Sequence, residues 1–282
     1  MMLFPTILML TSCRAIQNIK DKINGLTESF VVSGLMWGVE PIEDSSIDLT
    51  GTDFEKSSTI TVFLANTEIA GNLSANPISR ATVSLNNSIT SVAVLENSSG
   101  VYEADSENGL EYIDGRIHRL DMTYLGEGHT IESVMPSAPI FTLPETMAPQ
   151  PLTIDLTGQG YFQALTFVLN LTTGGVTFDS RPEGPEAFYD LTHPNGDALE
   201  EAELLTGIDI PASAFEEQGI YLVGVAGLQG ASQEQMDNVN TVLSSFIGGK
   251  FRFQKVCVPD CNIFDLDTGI PVDTGVPNDS GQ

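Results

Sequence analysis

Positive charge is what this 282-residue chain has least of: 11 Lys and Arg stand against 38 Asp and Glu, a formal net charge of −27. A surface of that balance repels the phosphates of nucleic acids and anionic lipid head groups, which excludes nucleic acid as a partner. Total charge is only 17%, and the balance suits an exported protein in a salty medium that screens self-repulsion within about 8 Å. Loosely held divalent cations would suit it equally. Histidine is scarce too, and His118, His129 and His193 are scattered, so a zinc site lacks ligands at the needed spacing. No run approaches the roughly 20 apolar residues of a membrane-spanning helix. The single Trp, Trp37, lies too close to the N-terminus to suggest a row of sugar-stacking rings. Also missing are a Gly-x-Ser-x-Gly elbow, a paired-His metal motif and a phosphate-cradling glycine loop. Acidic pairs are too abundant for any two to be singled out as acid and base. These absences predict a protein that is not an enzyme.

What is present begins at the N-terminus. Residues 3–10 form a short apolar run that ends in Leu10-Thr11-Ser12-Cys13. A Leu, two small residues and a Cys resemble the lipobox of bacterial lipoproteins, although the first basic residue, Arg14, follows the run instead of preceding it. The resemblance implies a signal peptide over 1–12, lipidation of Cys13 as the first mature residue, and attachment to the bacterial cell envelope. With Arg14 and not Asp in the second mature position, it implies sorting to the outer membrane or cell surface. The alternatives are an ordinary cleaved signal or a disordered apolar N-terminus. Of three cysteines, lipidation of Cys13 leaves Cys257 and Cys261, an even remainder that suits an oxidising compartment. A turn at Pro259 would bring this pair into disulfide reach.

The body is written in strands. After a tether over 13–28, with Ile16, Ile19 and Ile23 on one face of a short helix or frayed segment, residues 29–39 are β-branched and aromatic. Strands follow at 59–64, 81–85, 91–95, 101–104 and 116–125, with hairpin signals at Asn97-Ser98-Ser99-Gly100, Asn108-Gly109 and Asp114-Gly115. Five prolines between 136 and 151 predict a stiff linker over 144–151. Beyond it come strands at 152–156, 161–171, 176–178, 187–191, 207–210, 220–226 and 250–258. The predicted fold is mainly β, with two tandem β-sandwich domains over 29–143 and 152–258.

The strand Pro77-Ile78-Ser79-Arg80-Ala81-Thr82-Val83-Ser84-Leu85, then Gly100-Val101-Tyr102, then Met135-Pro136-Ser137-Ala138-Pro139, resemble the transthyretin-like and immunoglobulin-like sandwich modules of bacterial envelope lipoproteins. The resemblance covers about 58–143 and implies a fold and an envelope setting. It implies no activity.

Two helices are predicted within the second domain. Asp197 would cap one over 198–205; Ser232 and Gln235 would form a capping box for another over 232–247, with Met236, Val239, Leu243, Phe246 and Ile247 on one face. That face would pack on the sheet or meet a partner or lipid. The tail over 259–282 is acidic, low in complexity and predicted disordered. Asp265 and Asp267 with Gly269 are weak calcium candidates. The triplets Asp267-Thr268-Gly269 and Asp273-Thr274-Gly275 resemble those of pepsin-like proteases, but six residues apart in a proline-rich tail they have no scaffold.

The functional expectation is therefore a non-catalytic, lipid-anchored envelope protein that binds an extracellular polymer, a partner envelope protein or another cell, or serves structurally. No cofactor is expected beyond loosely bound calcium, and no binding residues are legible. The alternative is an exported glycan- or peptide-degrading hydrolase, or an uptake accessory.

Overall fold

The computed structural model describes residues 28–44, 47, 49–66, 76–192, 203–236, 240–259 and 261. Cys13, His193, Asp197, Asp265 and Asp267, with residues 13–27 of the tether and 262–282 of the tail, lie outside the described residues. The fold is mainly β, as expected. Its strands are β1 (Glu28–Val39), β2 (Ser58–Asn66), β3 (Thr82–Asn86), β4 (Ser91–Ser98), β5 (Val101–Asp105), β6 (Ile117–Tyr124), β7 (Glu127–Val134), β8 (Leu152–Asp155), β9 (Gln163–Asn170), β10 (Gly175–Asp179), β11 (Gly207–Ile210), β12 (Gly219–Met236) and β13 (Asn240–Val258). A helix, α1 (Gly184–Thr192), precedes β11.

Eleven strands form one hydrogen-bonded order, β10-β9-β12-β13-β1-β2-β5-β4-β3-β6-β7, and β8 pairs with β11. Strand β4 makes the corner. Its first half pairs with β3 and its second half with β5, with a bulge between Glu96 and Ser98. Such a bend lets β4-β3-β6-β7 fold over β1, β2 and β5. Residues alternating inward, such as Ile60, Val62, Leu64, Leu120 and Met122, then close a core between the two layers.

The division into domains over 29–143 and 152–258 is not followed by the strand pairing. Strand β1 is flanked by β2 on one side and, in parallel along its whole length, by β13 on the other. Nor are residues 144–151 a free linker. Cys257 N–H donates to Glu145 O at 3.0 Å, Met147 N–H donates to Cys257 O at 2.8 Å, and Met147 is buried. Proline stiffness keeps this segment extended, and extended backbone can pair.

On one face of the large sheet, the core just described is separated from a second, formed by β8, β9, β11, β12 and the far end of β13. Between them lies a strip short of side chains. Gly38 of β1, Gly248 of β13 and Gly227 of β12 lie close together across adjacent strands. The chain crosses from one core to the other over this strip. Tyr112 packs on Gly38, Met135 on Gly248 and Tyr161 on Gly227. The Tyr112 hydroxyl donates to Pro136 O at 2.7 Å, and the Tyr161 hydroxyl to Ser137 O at 3.1 Å. Gln254 clasps the same crossing, donating to Phe141 O and accepting from Leu143 N–H. The opposite face carries a third core, in which Phe54 and the α1 residues Phe188 and Tyr189 cover Trp37, Phe167 and Phe251.

Two element assignments are corrected. Residues 232–236 and 240–247 are no helix: they belong to β12 and β13, which pair antiparallel without interruption from Gly219↔Val258 to Met236↔Thr241. Strand β13 is buried on both faces, with Val242 and Phe246 in one core and Leu243 and Ile247 in another. Apolar residues at adjacent positions and again four on are what a two-sided strand shares with a helical stripe. Residues 187–191 are not a strand but part of α1, which begins at Gly184 with Pro185 in its first turn. The helix predicted over 198–205 lies mostly outside the described residues, and 203–206 are not helical. Strand β7 went unread, because its hairpin turns through Leu125 and Gly126, at φ of 52° and 90°, and Leu is no turn signal.

Candidate functional site

The third core stops short of the sheet. Past α1, strands β2, β5 and β4 continue, and their outward residues floor a cleft of about 940 Å³. Period two places Thr59, Thr61 and Phe63 of β2 beside Asp105, Glu103 and Val101 of β5. Leu95 of β4 stands across from Glu103 and is 63% exposed. One wall is a turn containing Thr52, Asp53 and Lys56; the other runs from Asp179 to Gly184 and includes Phe188 of α1.

Arg181 ties the walls together. Its Nη1 donates to Asp53 Oδ2 at 2.8 Å, while Nε and Nη2 grip the Asp179 carboxylate at 3.0 and 2.6 Å. The guanidinium lies 4.9 Å from the Phe54 ring centre and 5.6 Å from that of Phe167. Burial works against its charge, but hydrogen bonds and attraction from Asp179 and Asp53 outweigh this and raise its pKa. Arg181 is thus a fixed strut.

Most of the carboxylates at the cleft already serve internal bonds. Glu96 accepts from Arg80 N–H at 2.9 Å, and the Ser79 hydroxyl and this backbone bond hold its carboxyl below the usual range. Glu103 accepts from Asn97 at 2.6 Å. Asp105 caps a short 3-10 turn by accepting from Glu107 and Asn108 N–H, and Lys56 pairs with Glu107. A carboxylate accepting one or two bonds keeps lone pairs for a ligand. The arrangement is suited to recognition: an apolar floor with hydroxyls, rimmed by ionised acceptors held in place.

Of the residues weighed from the sequence as ligands, catalysts or binding groups, only Trp37 lines this cleft. Trp37 reaches its bottom but is only 6% exposed, edge-on to Phe54 and Phe251. His118 is fully buried; its ring nitrogens lie 3.2 and 3.3 Å from Glu111 O and Arg116 O. The inward face of β6 puts it there. Cys257 and Cys261 form a disulfide, with Cα atoms 5.7 Å apart, where β13 ends beside the start of β12. Among the described residues no group of three His, Cys, Asp or Glu is placed to hold a metal, and no helix is long and apolar enough to cross a membrane.

No family model and no curated protein matches the sequence. Among solved structures, the chain is similar to the N-terminal Ig1-2 module of the Drosophila receptor protein tyrosine phosphatase DLAR. That match has 11% identity and a TM-score of 0.23, and covers 71% of this chain and 90% of that one. It is also similar to the FN1-FN3 domains of chicken CNTN1, at 9% identity and a TM-score of 0.19, covering 67% of this chain and 62% of that one. At such scores the architecture rests on the strand pairing described above.

Proposed function

We propose that this protein is a lipid-anchored component of a bacterial cell envelope that binds a partner in the β2-β5-β4 cleft without chemistry on it. The cleft carries the reading: its carboxylates are held by Arg181, Asn97 and backbone N–H groups and so present fixed acceptors. A mainly β frame with its site on rigid strands fits a binding or structural module. The anchor is supported by Leu10-Thr11-Ser12-Cys13.

Two measurements test this. Cells expressing the chain should incorporate labelled palmitate into it, and Cys13→Ala should abolish the label; an unlabelled wild-type chain overturns the anchor. Thr61→Trp fills the cleft, and should abolish retention of the purified chain on envelope fragments, whereas Glu132→Trp on the exposed face of β7 should not. Equal retention of both variants overturns the cleft as the binding site.

A further inference from the structure

We infer that the occupant of the cleft is a cationic peptide segment, lysine- or arginine-bearing, of a partner protein. This rests on the cleft being the binding site proposed above. Six carboxylates line it, on Asp53, Glu96, Glu103, Asp105, Asp179 and Glu183, against two cations. Both cations are already matched, Arg181 by Asp179 and Asp53 and Lys56 by Glu107. A net charge of −27 over the chain steers cations toward it and anions away.

The floor refines the class. Leu95 lies directly across from Glu103, and Phe63 from Val101, so apolar surface and carboxylate stand side by side. Lys and Arg have that form, an aliphatic stem with a charged head. A sugar would need an open aromatic face, and Trp37 is closed off by Phe54 and Phe251. Leu95 itself, at 63% exposure, is a large apolar side chain that a peptide stem would cover.

The test is fluorescence anisotropy of a labelled decapeptide of alternating Lys and Val with the full chain, at low and at physiological salt. The peptide should bind, less tightly as salt rises, and its Glu-and-Val counterpart should not. Glu96→Gln with Glu103→Gln, whose amide oxygens can still accept from Arg80 N–H and from Asn97, should weaken binding about ten-fold; Glu127→Gln with Glu132→Gln on β7, removing the same charge, should stay within about two-fold. Leu95→Ser, at an exposed position, should also weaken it. Equal weakening by the two double variants means undirected charge attraction and overturns the inference, as does displacement of the peptide by a neutral hexasaccharide. If the peptide does not bind at all while Thr61→Trp still abolishes retention on envelope fragments, the peptide class fails and the cleft stands.

Discussion

Adding one methyl group at Gly227 should destabilise the whole molecule, because the crossing between the two cores depends on what the strip beneath it lacks. A Cβ there would sit 2.5 Å from Tyr161 Cε2 and closer still to Cγ and Cδ2. The ring cannot slide away: it is 5% exposed, and its hydroxyl is engaged with Ser137 O. Either the ring tilts and loses that bond or the 135–143 crossing lifts off the sheet. Overpacking of this kind costs about 1–3 kcal/mol, and at about 2 kcal/mol Tm should fall by roughly 4–8 °C. Urea unfolding followed by fluorescence of Trp37, the chain's single Trp, measures the loss directly. Specificity comes from a double-mutant cycle. Tyr161→Ala alone leaves a cavity and is destabilising, but adding Gly227→Ala to it should cost less than about 0.5 kcal/mol, because the clash has gone. If Gly227→Ala in the native background lies within about 0.5 kcal/mol of wild type, or if the two changes are additive, the account of the strip is wrong.

Two further predictions concern the far end of β13. Arg252 hydrogen-bonds Glu40 through Nε at 2.6 Å and Nη2 at 2.8 Å, and this bond, opposed by burial, holds the Glu40 carboxyl below its ordinary 4.5. A pKa lower in the folded than the unfolded chain means stability that is present above about pH 4.5 and lost as pH falls through the folded value. Urea midpoints from pH 7 down to pH 3 should therefore fall less steeply for Glu40→Gln than for wild type; parallel profiles would remove Glu40 from the acid response. Cys257 and Cys261 should give no free thiol in the native chain and two after reduction, and Cys261→Ser should lower the urea midpoint by loosening the junction of β13 with β12 and residues 145–147. Two reactive thiols in unreduced protein would refute the pairing.

Local signals carried far where the code is local. Asn108-Gly109 and Asp114-Gly115 sit at turns, with Gly109 and Gly115 at φ of 85° and 71°, and most strands lie within a few residues of their alternating runs. The signals misled where burial was two-sided. In 242–247 the pairing of apolar neighbours comes from two cores, one on each side of β13, and nothing nearby in sequence reveals the second. The cleft was unreadable for a related reason. Thr61, Glu103, Leu95 and Arg181 come from four segments, and in so acidic a chain a carboxylate carries no signal until its neighbours are known. A trace of it was there in Arg181, a scarce cation two residues after Asp179, but its other partner, Asp53, is 128 residues away.

By itself the sequence determined that this chain is acidic, rich in strands, opens with a short apolar run ending in Leu10-Thr11-Ser12-Cys13, and has two cysteines close enough to join. Those properties follow from composition, period two and short-range spacing, which need no partner strand to be evaluated. Only the tertiary structure decided that β1 inserts beside β13, that the proline segment docks instead of linking, and that β2, β5 and β4 run past their cover to leave a cleft. Strand pairing joins residues about two hundred positions apart through backbone hydrogen bonds that are the same for every side chain. Side-chain pattern can therefore mark a strand, but it is the burial of whole faces that chooses the strand's neighbours.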